Sequence, residues 1–386
     1  MPTVDVPDAA CDYEKAPFPR KKFSLSDAGD NLPALVGTLI GEMAMADMPK
    51  GKIGQAELKG IAIEALVRLG LVTDEAEDVA DVLVMADMMG IHTHGVARIM
   101  SYGERIKVGG INANPRIEWH QSYPTVATLA GDNALGPLLG KRALSQSMKM
   151  ASEFGVGMVF VRGSNHFGPV MPYSFMAAEQ GFMSFIASNA TTTIAPYGGT
   201  SPKLGNNPLG FGFPNPCGEH FLLDMALSTV ARAKIRAARD RGESIPLDWA
   251  VDTSGAPTSD PNEALAGMLQ TIGGHKGYGL ALAVDMLAGV LSGAAYLNHV
   301  KAWDKQPDQP QNLGHFFLTI NTQGLGGEGW LGERMSDFFD IIHDTPAIDD
   351  ERPVQLPGER ELAAFRHHLE HGLDYDALQL NALRAY

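Results

Sequence analysis

The run Val156-Gly157-Met158-Val159-Phe160-Val161-Arg162-Gly163-Ser164-Asn165-His166-Phe167-Gly168 is apolar over strand length and then turns at a glycine. The turn carries a histidine, and a titratable imidazole at the end of a rigid strand is placed for proton transfer. His166 needs partners, because a turn histidine is also an ordinary surface polar group. Upstream, His92-Thr93-His94-Gly95-Val96-Ala97-Arg98 stands where a helical segment breaks. Arg98 and Tyr102 lie four apart, so a helix after the break puts both on one face. A planar guanidinium suits two-point capture of a carboxylate, and the Tyr102 hydroxyl adds a donor. The competing reading is a helix-breaking glycine with two capping histidines and a surface ion pair. Zinc at His92 and His94 is disfavoured, because the pair shares no helix face and no third ligand is near.

Downstream, Ala195-Pro196-Tyr197-Gly198-Gly199-Thr200 and the stretch from Leu204 to Pro214 are rich in glycine and asparagine. Glycine lets backbone amides approach a ligand, and asparagine supplies donors and acceptors. Turn chemistry between short strands accounts for them equally. Then come Leu223-Asp224-Met225-Ala226-Leu227-Ser228 and Gly273-Gly274-His275-Lys276-Gly277-Tyr278-Gly279. The second precedes a long apolar helix, whose free amides and dipole favour an anion, with Lys276 adding charge.

The elements around these residues follow a simple order. Residues 1 to about 30 form an irregular leader with Pro2, Pro7, Pro17 and Pro19. Helical spacing dominates to about residue 108, with Leu58, Ala62, Leu66 and Leu69 on one face and Thr73 opening the next helix as a cap. Strands are expected at 125–129, 157–161, 183–187 and 315–321, and helices at 138–154 and 171–180. Further helices are expected at 229–240, 277–291, 330–343 and 358–371. The pattern is of the α/β (α+β) class, with helical parts flanking a sheet domain in sequence.

Hydrophobic residues make up 45% of 386 residues and charged residues 19%, enough for a sizeable core. The net charge of −15 argues against nucleic acid, since no basic stripe exists to displace counterions from phosphates. Cys11 and Cys217 are too few for a disulfide framework. The leader has the wrong charge order for a secretory signal, and Leu32 to Met48 is interrupted by Glu42 and Asp47, so a soluble cytoplasmic chain without a membrane span is expected. Gly324-Leu325-Gly326-Gly327-Glu328-Gly329 matches a Rossmann fingerprint, but no apolar parallel strand follows the next helix, so a structural turn is expected.

The set HTHGVAR, GSNHFG, APYGGT, LGNNPLGFGFP, LDMALS, GAPTSDP, GGHKGYGLAL and LPGE, in that order, resembles the type 2 malate/L-lactate dehydrogenase family over residues 55 to 375. The resemblance implies a non-Rossmann, mixed and largely antiparallel sheet that binds NAD or NADP, beside an all-helical domain, in a homodimer. The implied division is an N-terminal extension over 1–50, a helical part over 51–115, a sheet domain over 116–228 and 312–323, and further helical parts over 229–311 and 324–386. His166 then resembles the proton donor and acceptor, and Arg98 the group that grips a substrate carboxylate. Thr93, His94 and Tyr102 line the same pocket. Asp224, Met225, Ala226, Gly274, His275, Lys276, Pro357 and Gly358 resemble cofactor contacts, and no metal is implied.

Three positions depart from the resemblance: Pro169 after the histidine turn, the uncharged Ser188-Asn189-Ala190, and threonine rather than serine at position 93. They bear on the substrate more than on the reaction. The implied activity is interconversion of a small 2-hydroxy acid and its 2-oxo acid. Reduction of cyclic imino acids such as piperideine- or pyrroline-2-carboxylate in the same pocket is the alternative, and a non-catalytic ligand-binding relative is a third.

Overall fold

The computed structural model describes residues 50–349 and 351–386. The proline-containing leader, Cys11 and the Leu32 to Met48 segment lie outside the described residues.

A seven-stranded sheet forms the centre. Its spatial order is Glu118–Tyr123, Val126–Ala130, Val156–Ser164, Leu313–Asn321, Phe182–Ser188, Leu209–Phe213 and Phe221–Met225. Only Val126–Ala130 and Val156–Ser164 pair in parallel, and every other neighbouring pair is antiparallel. This is the mixed, largely antiparallel sheet that the motifs imply. The parallel pair needs a crossover, which the helix Gly136–Phe154 supplies while packing on Val156–Ser164 and Leu313–Asn321. Leu313–Asn321 comes late in the chain yet takes the middle position. Its residues Leu313 to Phe317 are all buried, as expected for a strand covered on both faces.

Two apolar cores flank this sheet. The larger joins Leu58, Leu66, Val79 and Leu83 of the helices Gln55–Arg68 and Thr73–Met88 to Val159, Val161 and Phe317 of the sheet. Leu362, Phe365, Leu380 and Leu383 from the C-terminal helices Glu359–His371 and Ala377–Ala385 complete it. The strand Lys50–Ile53 pairs antiparallel with Leu373–Asp376 and ties the two ends of the described chain together. The second core gathers Ala187, Leu204 and Leu209 with Leu227, Ile235, Ala281 and Val284.

Several boundaries move for identifiable reasons. The helix expected from 229 begins at Arg232, because Ser228 bridges Thr271 and the Thr229 amide donates to the Gln270 carbonyl. Thr73 is the first helical residue rather than the cap, which is Val72. The apolar helix expected over 277–291 is α-helical over His275–Asp285 and widens into a π-turn over Met286–Val290. That turn lies on Gly314, where an added Cβ would sit 1.6 Å from the Ala288 carbonyl oxygen. The glycine hexad is an exposed turn leading into Trp330–His343, after a strand antiparallel to both neighbours, so no βαβ unit exists there.

Candidate active site

The chain is aimed at His166 by an irregularity at the end of Val156–Ser164. Against Leu313–Asn321 the pairing runs Val161↔His315 and then Ser164↔Leu313, so an extra residue bulges on the Val156–Ser164 side. Gly163 takes φ 65° there, a conformation that suits glycine. The following turn is held from three sides. Asn165 is buried, and its amide nitrogen donates to the Asn133 carbonyl (3.1 Å), the Asn133 side-chain oxygen (2.9 Å) and the Ala134 carbonyl (2.9 Å). The Tyr173 hydroxyl donates to the Phe167 carbonyl at 2.5 Å. The Phe167 ring stacks on His315 with centroids 4.4 Å apart.

The second segment reaches His166 from the helical side. Buried Asp87, near the end of Thr73–Met88, accepts from the Val96 amide at 2.8 Å and lies 3.0 Å from His92 Nδ1. Gly95 passes so close that a Cβ would lie 2.0 Å from that carboxylate. This contact folds the loop and starts the helix Arg98–Lys107. Tyr102 is fully buried on it, with its hydroxyl 2.9 Å from His166 Nδ1. The His94 ring stacks on His166 at 5.3 Å, and Thr93 Oγ1 lies 2.8 Å from His94 Nδ1. Arg98 Nε donates to the Thr93 carbonyl at 2.8 Å. Arg98 and Thr93 also line an open cleft of about 530 Å³ with His92, Ser101, Glu104 and Gln379, whose lining does not include His166, Tyr102 or His94.

Burial and positive charge keep these imidazoles neutral. His166 is held well below the usual histidine range by desolvation first, and then by His94, Arg98 and His315. His94 is lowered to about 4 by burial and by Arg98. Burial raises the Tyr102 phenol, so it remains a hydroxyl. With Nδ1 of His166 taken by Tyr102, Nε2 is the nitrogen left to a ligand.

His315, expected from the sequence only as part of a strand, is fully buried and lowered to about 3 by desolvation. The Ser188 hydroxyl donates to the Asn189 carbonyl at 2.8 Å, so its oxygen accepts from His315 Nδ1–H at 2.8 Å. Nε2 lies 2.7 Å from the Ser164 hydroxyl, so each ring nitrogen has a serine partner. The unfolded chain binds protons at about pH 6.5 that folded His94 and His315 refuse until about 4 and about 3. Stability is therefore complete above pH 6.5 and falls as pH drops through that window, by about 1.4 kcal/mol per pH unit for each group. His315→Gln is expected to reduce this slope by one proton in denaturant unfolding measured across the window. An unchanged slope would show that His315 is protonated in the native state.

The remaining predicted residues form a second group on the last strand. The Asp224 carboxylate accepts from the Met171 amide at 2.9 Å and from Val170, and burial raises it to about 6. It thereby ties the strand Phe221–Met225 to the helix that follows His166. Beyond Met225 and Ala226, the Ile272 amide donates to the Leu227 carbonyl, leading to the loop of Gly274, His275 and Lys276. The Tyr197 ring meets His275 edge-on at 5.9 Å. Pro357 accepts from the Leu222 amide, and Gly358, at φ 98°, packs on Leu222. Asn207 serves the fold instead, bridging the Ala190 amide and the Ala281 carbonyl.

Spacing alone did not mark Asp87, His315, Arg105 or Trp303, whose ring meets Tyr102 and His166 edge-on and lies under the Arg105 guanidinium. Arg105 has a readable signal, since it follows Arg98 and Tyr102 on the same helical face. Asp87 has one too, a lone carboxylate in an apolar helix end.

With this arrangement in view, comparison with known proteins is decisive. The malate/L-lactate dehydrogenase family matches residues 53–384. The chain belongs to that family. A malate dehydrogenase of Pyrococcus abyssi is 36% identical over 330 residues, covering 83% of this chain and 90% of that protein. An Escherichia coli K12 ureidoglycolate dehydrogenase (NAD(+)) is 36% identical over 308 residues, covering 80% and 88%. The solved sulfolactate dehydrogenase of Methanocaldococcus jannaschii superposes with a TM-score of 0.80 at 33% identity, covering 86% of this chain and 95% of that one. Among its described residues this malate/L-lactate dehydrogenase family member shows no Rossmann unit. No group of three His, Cys, Asp or Glu among its described residues is arranged to hold a metal.

Proposed function

We propose that the protein interconverts a small 2-hydroxy acid and its 2-oxo acid with NAD or NADP. The observation that carries this is the convergence of Tyr102 on His166 Nδ1 at 2.9 Å, with the Arg98 charge felt by both His166 and His94. In oxidation, neutral His166 donates Nδ1–H to the Tyr102 oxygen, which leaves the Nε2 lone pair to accept the substrate hydroxyl proton. In reduction the same nitrogen returns a proton to the carbonyl oxygen. Arg98 binds the carboxylate, and Thr93 and His94 line the pocket. A carboxylate beside Arg98 offsets the charge that depresses His166, so binding of the oxo acid favours uptake of the proton that its reduction consumes.

The residues present fit a dinucleotide. Gly273 and Gly274 take φ 56° and 60° at the start of the helix His275–Asp285, a backbone conformation that favours glycine, with Lys276 in its first turn. Asp224, Met225, Ala226, His275, Pro357 and Gly358 would hold the rest, with the Asp224 carboxylate also tying its strand to the Met171 amide. When bound, the nicotinamide accepts or donates the hydride. The reading includes a cytoplasmic homodimer with a small carboxylate as its ligand. Leu280, Met286, Val290 and Leu291 are exposed on one helical segment, which supports a second copy covering them.

A panel of 2-hydroxy acids, 2-oxo acids and cyclic imino acids, followed by nicotinamide absorbance with both dinucleotides, tests the proposal. Turnover of hydroxy and oxo acids is expected, and none of alcohols that lack the carboxylate. Turnover confined to cyclic imino acids would replace this reading, and turnover of no member would remove it.

A further inference from the structure

Residues 301 to 312 form a strap without regular helix or strand between the turn Leu297–His299 and the central strand. One buried cation fastens it. Arg105 is 1% exposed and donates to the Trp303 carbonyl (2.8 Å), the Gln309 carbonyl (2.7 Å), the Gln306 carbonyl (3.4 Å) and the Gly110 carbonyl (3.4 Å). Its guanidinium also lies 4.6 Å over the Trp303 ring. Withdrawing a guanidinium from water is costly, and here carbonyl oxygens compensate it, with Asp304 and Asp308 near enough to favour the charge. The arrangement holds the strap at three of its carbonyls and locks one indole in place.

That indole stands over the reacting histidine. Trp303 meets His166 edge-on at 6.1 Å and Tyr102 edge-on at 6.0 Å. His166 thus has His94 stacked on it, the Tyr102 hydroxyl at Nδ1, and the Trp303 indole edge-on to its ring. Arg98, Tyr102 and Arg105 follow one another on the same side of one helix. A single element therefore supplies the carboxylate cation, the histidine's partner and the strap's fastener.

We propose that Trp303 is a specificity-determining wall of the substrate pocket, and that Arg105 is a positioning residue that holds it. The wall admits 2-hydroxy and 2-oxo acids with short substituents and excludes bulky apolar ones. The inference rests on the pocket assigned above, and its test is independent of turnover. Binding of oxamate and of N-benzyloxamate, unreactive mimics of a small and a bulky 2-oxo acid, is measured by calorimetry on the full chain with reduced dinucleotide present.

The wild-type protein is expected to prefer oxamate. Trp303→Ala narrows the ratio of the two dissociation constants by about tenfold or more, the scale on which an apolar pocket discriminates size. Trp303→Phe, which keeps a ring in place, lies between. Arg105→Lys, which keeps the charge but loses the planar fork, shifts the ratio in the same direction as Trp303→Ala. An unchanged ratio in folded Trp303→Ala, equal weakening of both ligands, or no binding of oxamate to the wild-type protein overturns the wall. If the ratio shifts while the wild-type protein turns over no 2-oxo acid, the wall stands and the dehydrogenase reading fails.

Discussion

His166→Ala is expected to lower turnover by about 10²- to 10⁴-fold, the range associated with loss of a positioned general acid or base. Cofactor affinity should change far less, because the glycine loop and strand end assigned to the dinucleotide make no hydrogen bond to His166. The pH profile gives an independent reading. His166 is held below the ordinary histidine range, so kcat/KM for oxidation in the wild-type protein should fall only as pH drops well below about 6.5. That acid limb should vanish in the alanine variant. Turnover near wild-type would take His166 out of the reaction, whatever its surroundings. Tyr102→Phe, which keeps the ring but removes the hydroxyl from Nδ1, should lower turnover less and leave an acid limb.

Arg98→Ala is expected to raise KM for the carboxylate substrate by about 10- to 100-fold, as charge-assisted hydrogen bonds contribute about 1.5–3 kcal/mol. Turnover at saturation should fall less. The same substitution removes a positive charge that depresses His166 and His94, so the acid limb for oxidation should move to higher pH. A merely structural arginine would not shift it. Arg98→Lys should keep most of the charge effect and lose much of the affinity, because an ammonium cannot present a planar pair of donors. Unchanged KM together with an unchanged profile would assign the carboxylate to another group.

The two variants probe parts of the site that differ in how readable they were. His166, His94, Arg98 and Tyr102 are visible as residue types at telling spacings, and the helix that puts Arg98 and Tyr102 on one face lies where the periodicity expects it. The strand leading to His166 was visible as well, though not the bulge that aims it, because a bulge is defined only against a partner strand. Residue type offers Asp224 as a contact for a ligand, and the structure adds that its carboxylate accepts from the Met171 amide at the start of the helix Met171–Ala178. Asn207 was marked as a polar group available in a loop, and it is bonded on both sides within the fold. Side-chain chemistry says what a group is able to bind, and only its neighbours say what it does bind.

Residue type and local period by themselves singled out a candidate imidazole and a candidate cation, most strands and helices, and the absence of a βαβ unit at the glycine hexad. Those properties depend on a few adjacent positions, where side-chain alternation and backbone preference are written directly. The tertiary structure alone decided that Tyr102 occupies Nδ1 of His166 across 64 positions, and that Arg105 fastens a strap about 200 positions away. It alone placed the late strand Leu313–Asn321 at the centre of the sheet with His315 between two serines. Hydrogen bonds and desolvation depend on distance in space. Burial set by the whole core brought separated segments together around neutral His166 and His94, with the Arg98 charge beside them.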